Sequence, residues 1–208
     1  MRLLLVFIGC SLAHAQTPEL HLTGGRFAPL TYAQLSPEQK IMADHLLSGE
    51  RKGMNGPFNA LLRSPQLGDA AQNLGAQVRF HSSLPTRLNE FAILITARFW
   101  NAQYEWFAHR KLAAAAGLNP GVIASLAAGR KPVPMQPDEE VIYNFAHQLL
   151  NAKQVSDAAY KAVVDKFGER GAVDLTGVLG YYCFVSMMLN VDRYPLPDGE
   201  KPELKLLP

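Results

Sequence analysis

The chain has 208 residues, 48% of them hydrophobic and 18% charged, which is enough apolar content to build a sizeable core and excludes a natively disordered chain. Its 20 basic and 18 acidic residues leave a formal net charge of +2. They are scattered, without the basic block or stripe that nucleic acid or an anionic membrane surface requires, so no nucleic-acid partner is expected.

Met1-Arg2 and the apolar run from Leu3 to Leu12, followed by Ala13-His14-Ala15, have the pattern of a secretory signal cleaved after Ala15. The mature protein is therefore expected to be secreted or periplasmic. Lipid attachment through Cys10 is a lesser alternative, because Phe7-Ile8-Gly9 fits the lipidation pattern poorly at its first position. Neither this run nor the apolar stretch Val178 to Leu189 has the length of a spanning helix, so no stable membrane insertion is expected. Loss of the signal leaves Cys183 as the single cysteine, which forbids an intrachain disulfide. Within Gly180 to Leu189 it reads as a small buried hydrophobe before it reads as a reactive thiol.

Residues 16–36, with Pro18, Gly24, Gly25 and Pro29, read as an extended arm that need not pack tightly. Ser36-Pro37-Glu38-Gln39 opens a helix that stops near Gly49, and Gly53, Gly56 and Pro57 form a break. A helical turn follows over Phe58 to Arg63, and Ser64-Pro65 opens a helix running towards Phe80. The next helix starts at Leu84-Pro85-Thr86, passes through Phe91, Leu94, Ile95 and Arg98, breaks around Asn101-Ala102 and resumes from Tyr104 to Ala116. On the resumed part Tyr104, Phe107, Ala108, Leu112 and Ala115 form an apolar stripe with Glu105 and His109 on its flank, and Gly117 supplies the stop.

Gly129 to Pro137, with three prolines, reads as a connector and the one credible hinge. Asp138 to Leu150 carries Val141, Ile142, Phe145, Ala146 and Leu149 on one face. Ser156 opens a helix that Gly168 ends, and Leu175 to Asn190 is apolar on nearly every face, as in the middle of a bundle. Alternating strand patterns are scarce, so the fold class is all-α, with a helical domain over residues 37–198 and a tail over 199–208.

Chemistry concentrates in one stretch. Glu105 and His109 stand four residues apart and leave one helix face together. Such a pair is ordinarily a weak surface contact, but here Tyr104, Trp106 and Phe107 surround it and Glu90 lies on the preceding helix, a composition that fits a pocket wall. A carboxylate beside an imidazole in a partly dry cleft tunes it for proton transfer near neutral pH. No pair of histidines one turn apart suggests zinc, no Gly-x-Ser-x-Gly elbow suggests a serine nucleophile, and no Gly-rich loop suggests a nucleotide. His147 and Tyr143 share a helix face and read as core residues.

The stretch Arg87-Leu88-Asn89-Glu90-Phe91-Ala92-Ile93-Leu94, then Tyr104-Glu105-Trp106, His109 and Ala116-Gly117-Leu118, resembles the carboxymuconolactone decarboxylase family within the alkyl hydroperoxidase D superfamily. Gly56-Pro57-Phe58, Leu61-Leu62, Ser64-Pro65, Tyr182, Asn190 and Pro195-Leu196-Pro197 extend the likeness over most of residues 55–198. The resemblance implies an alkyl hydroperoxidase D-like helical bundle assembling as a homo-oligomer, a trimer or hexamer. The peroxidase branch carries a glutamate, a Cys-x-x-Cys pair and a histidine. Glu90 and His109 match the first and last, while Ala102 and Glu105 stand where the two cysteines would be. Without those thiols the resemblance is to the decarboxylase branch, which needs no metal and no organic cofactor.

It implies His109, Glu105 and Glu90 as catalytic residues: His109 donates the proton or binds the developing oxyanion, Glu105 orients or relays, and Glu90 stands behind them. Tyr104, Trp106, Arg79 and Arg98 are the expected substrate contacts, with Arg87 as a further cation, and for each of the three arginines a structural salt bridge is an equal alternative. The expected partner is a small lactone or cyclic carboxylic acid. An exported binding protein that has lost the reaction is the alternative of another class, and a peroxidase-branch oxidoreductase is a third that Ala102 and Glu105 disfavour.

Overall fold

A computed structural model describes residues 18–206, so the signal reading, the Ala15 cleavage point and Cys10 lie outside the described residues. Among the described residues there are eight α-helices and no strand. They are α1 Pro37–Ser48, α2 Phe58–Leu61, α3 Pro65–Phe80, α4 Thr86–Phe99, α5 Gln103–Ala115, α6 Pro120–Ala127, α7 Pro137–Ala152 and α8 Asp157–Asp192, with a 3-10 turn at Tyr32–Gln34. The class is all-α, as the patterning indicates.

Local chemistry accounts for most of the starts. Ser36 Oγ accepts from the Gln39 amide while Gln39 Oε1 accepts from the Ser36 amide at 2.8 Å, closing a capping box ahead of Pro37. Asn119 caps α6 by accepting from the Gly121 amide at 2.7 Å, again with a proline opening the helix. The sequence patterning assigns no helix after Asn119-Pro120, yet this short one forms there. Gly168 interrupts α8 with φ 72°, a left-handed backbone that glycine adopts without penalty, so Asp157–Asp192 is two helical pieces around a kink. Half of the most apolar stretch of α8 is buried inside the fold; by length and composition alone the helix would be long enough to cross a bilayer.

The residues bury themselves in two cores. One gathers α4 to α8, with Leu88, Phe91, Trp106, Ile142, Leu175 and Val178 among its members, and the other joins the arm, α1, α2 and the start of α3 through Leu20, Leu35, Met42, Leu46, Phe58 and Leu62. In the first core α4 is central: every residue from Leu88 to Arg98 is buried, and the helix packs against α5, α7 and α8. At its end Asn101 takes φ 50° and the Ala102 amide donates back to Ala97 O at 2.9 Å, a tight reversal that folds α5 along α4.

Several expectations are corrected. The arm is extended but not loose: Leu20 and Leu35 are buried, and the amides of Gly25, Arg26 and Phe27 all donate to Asp192 Oδ1 at 3.1, 2.8 and 2.9 Å. The tail is tied down too, with Leu204 buried, Gln103 Nε2 donating to Leu204 O at 2.7 Å and Trp106 Nε1 to Glu203 Oε2 at 3.1 Å. On α7 the face reads correctly but His147 is exposed, stacked on the Tyr143 ring at 5.5 Å, so it is no core histidine. On α5 the expected stripe is inverted. Glu105, Trp106, His109 and Ala113 are buried, whereas Leu112 is 40% exposed and Phe107 lies half-buried under the Lys111 ammonium at 4.1 Å. A polar pair goes inside because its members neutralise each other there, and Phe107 stays near the surface because a cation covers its face.

Candidate active site

The α4–α5 reversal sets the geometry. With α5 folded back, Glu90 near the start of α4 meets His109 well along α5: His109 Nδ1 lies 2.6 Å from Glu90 Oε2. One turn earlier on α5, Glu105 Oε1 lies 3.0 Å from His109 Nε2. All three side chains are buried, at 7% exposure or less. A neutral imidazole carries a single N–H, so between two ionised carboxylates it would turn a bare nitrogen lone pair towards one of them, whereas the doubly protonated ring donates to both. Burial pulls the His109 pKa down, but the charge and contact of Glu105, and then those of Glu90, override it and hold the imidazole up at about 9. At neutral pH the ring is an imidazolium between two acids.

This row ends on a cavity of about 250 Å³ at the seam between the two cores. α5 contributes Tyr104, Glu105, Ala108 and His109, which share one side of the helix, α8 contributes Tyr181, Tyr182 and Val185, and the loop and turn before α3 contribute Arg51, Gly56 and Phe58. The Tyr182 ring stands edge-on to His109 at 5.1 Å. Burial pushes the Tyr182 and Tyr104 phenols well up, so both remain neutral hydroxyl donors.

Of the residues singled out from the sequence, Glu105, His109, Tyr104 and Arg79 line this cavity, with Glu90 directly behind His109. Trp106 and Arg98 do not. They line a separate cavity on the far side of α5 beside the tail, where Arg98 Nη2 donates to Lys205 O and Nη1 to Asn101 Oδ1, both at 2.8 Å. Each residue of a helix is rotated about 100° from the last, so Trp106 is Glu105's neighbour in sequence and not in space. Arg87 is structural, donating to Asp138 Oδ2 at 2.6 Å and to Glu139. Sequence reasoning missed Arg51 and Tyr181. Arg51 stood in a glycine-bounded break that carried no periodic signal, and Tyr181 in a run that reads as uniformly apolar.

Among the described residues no cysteine lines this cavity. Ala102, where the resemblance would set a peroxidase cysteine, is wholly buried, and Cys183, the free cysteine of the described residues, is half-buried outside the cavity with its thiol pushed up by burial. Among the described residues no group of three or more His, Cys, Asp and Glu side chains is arranged to hold a metal ion.

No family model matches the sequence, and no curated protein matches it. The fold is similar to the crystal structure of an Agrobacterium tumefaciens protein of unknown function for which an antioxidant-defence role as AhpD has been suggested, with a TM-score of 0.59 and 17% identity over 68% of this chain and 99% of that one. At that identity the likeness establishes an AhpD-like helical fold.

Proposed function

We propose that this chain is an exported, oligomeric carboxymuconolactone decarboxylase-like protein, which decarboxylates or moves a proton on a small lactone or cyclic carboxylic acid without a cofactor. The observation that carries the reading is the buried row Glu90, His109, Glu105, which holds a proton above neutral pH and abuts the 250 Å³ cavity. The volume suits a small ligand, since a water occupies about 30 Å³ of the liquid.

For a carboxylate borne on the saturated carbon next to a double bond that is itself conjugated with the ring carbonyl, the carbon–carboxyl bond breaks, carbon dioxide leaves, and the electron pair moves through the double bond into the carbonyl to give a dienolate. That anion then takes a proton at carbon. Glu90 fixes Nδ1 and keeps the imidazole charged, the proton departs from Nε2, and Glu105, which faces both Nε2 and the cavity, passes it to the substrate carbon. Water restores the proton to His109. The neutral hydroxyls of Tyr104 and Tyr182 are the available donors for the enolate oxygen.

The test is carbon dioxide release by purified protein from a panel of small lactone acids and cyclic acids. Turnover should survive thiol alkylation and chelators and should fall at least about a hundredfold in His109→Ala, within the range that acid–base groups contribute. Undiminished turnover in that variant would reject the proton-transfer role of the imidazole and its two acids. Binding without turnover would leave a small-acid binding protein.

A further inference from the structure

Two arginines of the cavity have no acid to match them. Arg51 and Arg79 both line it, and neither is paired with a carboxylate among the described residues. Aromatic faces hold them instead. The Arg51 guanidinium carbon sits 5.0 Å from the Phe58 ring and 5.9 Å from Phe80, and that of Arg79 lies 5.3 Å from the same Phe80. Arg51 also buries a terminal nitrogen with no hydrogen-bond partner. A buried guanidinium N–H without an acceptor is a cost that folds seldom carry without a use.

The neighbourhood is shaped around Arg51. A methyl group on Gly75 of α3 would come 2.2 Å from Tyr181 Oη and 3.0 Å from Arg51 Nη2, so the bare glycine leaves the notch in which both sit. The loop that carries Arg51 is fastened on either side, by Glu50 Oε1 against His81 Nε2 at 2.6 Å and by the Gly56 amide donating to Tyr194 Oη at 3.2 Å. Gly56 takes φ 82°, a turn that a side chain would strain. The loop thus presents one cation to the cavity from the second core, while α3 presents the other.

We infer that Arg51, together with Arg79, forms an anion seat that selects ligands bearing a carboxylate over neutral ones of the same shape, with Arg51 as the specificity-determining residue. The inference rests on the cavity being the ligand site of the function proposed above, and it adds a chemical constraint. A guanidinium gripping the carboxylate about to leave would stabilise the ground state and oppose the loss of carbon dioxide. The seat therefore holds an anionic group that survives the reaction, or a product-like acid, and leaves the reacting carbon to the Glu105 wall.

Calorimetric titration with a matched pair of probes tests this: γ-butyrolactone, which is neutral, and paraconate, the same lactone bearing a carboxylate. The wild-type protein should bind paraconate about tenfold or more tightly than the neutral lactone, as expected when a charge-assisted hydrogen bond is added. Arg51→Gln should abolish most of that preference while leaving lactone affinity within about twofold, and Arg51→Lys should restore only part, since an ammonium lacks the planar fork. Equal affinity for the two probes in the wild type, no binding of paraconate up to millimolar concentration, or a preference unchanged by Arg51→Gln would each overturn the inference. So would an equal loss for both probes, which marks a collapsed loop. Because the readout is binding, it separates from the reaction: an Arg51-dependent preference without carbon dioxide release from any acid sinks the decarboxylase reading and leaves the seat. Turnover without the preference does the reverse.

Discussion

Among the described residues an imidazole nitrogen stands 2.6 Å from a carboxylate oxygen twice, with opposite results. His81 and Glu50 do so at the surface, with side chains 54% and 55% exposed, and His109 and Glu90 do so inside, at 5% and 7%. The distance is the same, but the inner ring is dry and has a second carboxylate, Glu105, on its other nitrogen. At the surface the attraction is screened and two side chains must be held still for it, so the pair fastens a loop and little more. Inside, each charge exists only because the others compensate it, so the cluster stands or falls together.

The largest break in that comparison comes from removing the ring. His109→Ala leaves Glu90 and Glu105 buried with no cation between them and should cost about 3 to 5 kcal/mol in urea denaturation. His81→Ala should stay within about 0.5 kcal/mol. Equal costs would mean that the buried cluster is no more cooperative than the surface pair.

Next in size is the pH dependence. His109 binds its proton more tightly folded, with a pKa of about 9, than unfolded, near 6.5, so its stabilisation is complete below pH 6.5 and is lost as pH rises through 9. The decline should be on the order of 3 kcal/mol across that window, read as a falling urea midpoint. It should disappear in His109→Gln and persist in His81→Ala.

Smaller, and more selective, is the effect of Glu90→Gln. It keeps an acceptor at Nδ1 and deletes one charge, so the His109 pKa should fall from about 9 by roughly one unit, measured by NMR titration of the ring. No change would assign the upward shift to Glu105 alone.

Much of this was legible in the letters. Proline and cap residues mark the starts of α1, α3 and α8, Asn101-Ala102 marks the reversal, and Gly168 marks the kink, because each acts through local backbone chemistry. The i and i+4 spacing brings Glu105 to His109, and the likeness of Glu90 and His109 to a family pattern foretells their meeting. The failures were of facing. An apolar count on α5 turned the helix the wrong way, since it could not weigh a charge pair that compensates itself in the interior. Trp106 and Arg98 were grouped with the histidine by nearness in sequence, although they lie on the tail side. Arg51 was out of reach for another reason: its loop meets the cavity only once the second core has formed, and nothing in Gly49 to Pro57 advertises that contact.

Asp192 gathers three amides of the arm although some 165 residues separate them. Residues 25–27 are made well before Asp192, so their fastening waits for some 165 further residues to follow them. The arm is thus held at two ranges: Leu20 and Leu35 seat on neighbours between Met42 and Ala71 that follow closely in sequence, whereas the polar clasp of residues 25–27 waits for the far end of α8.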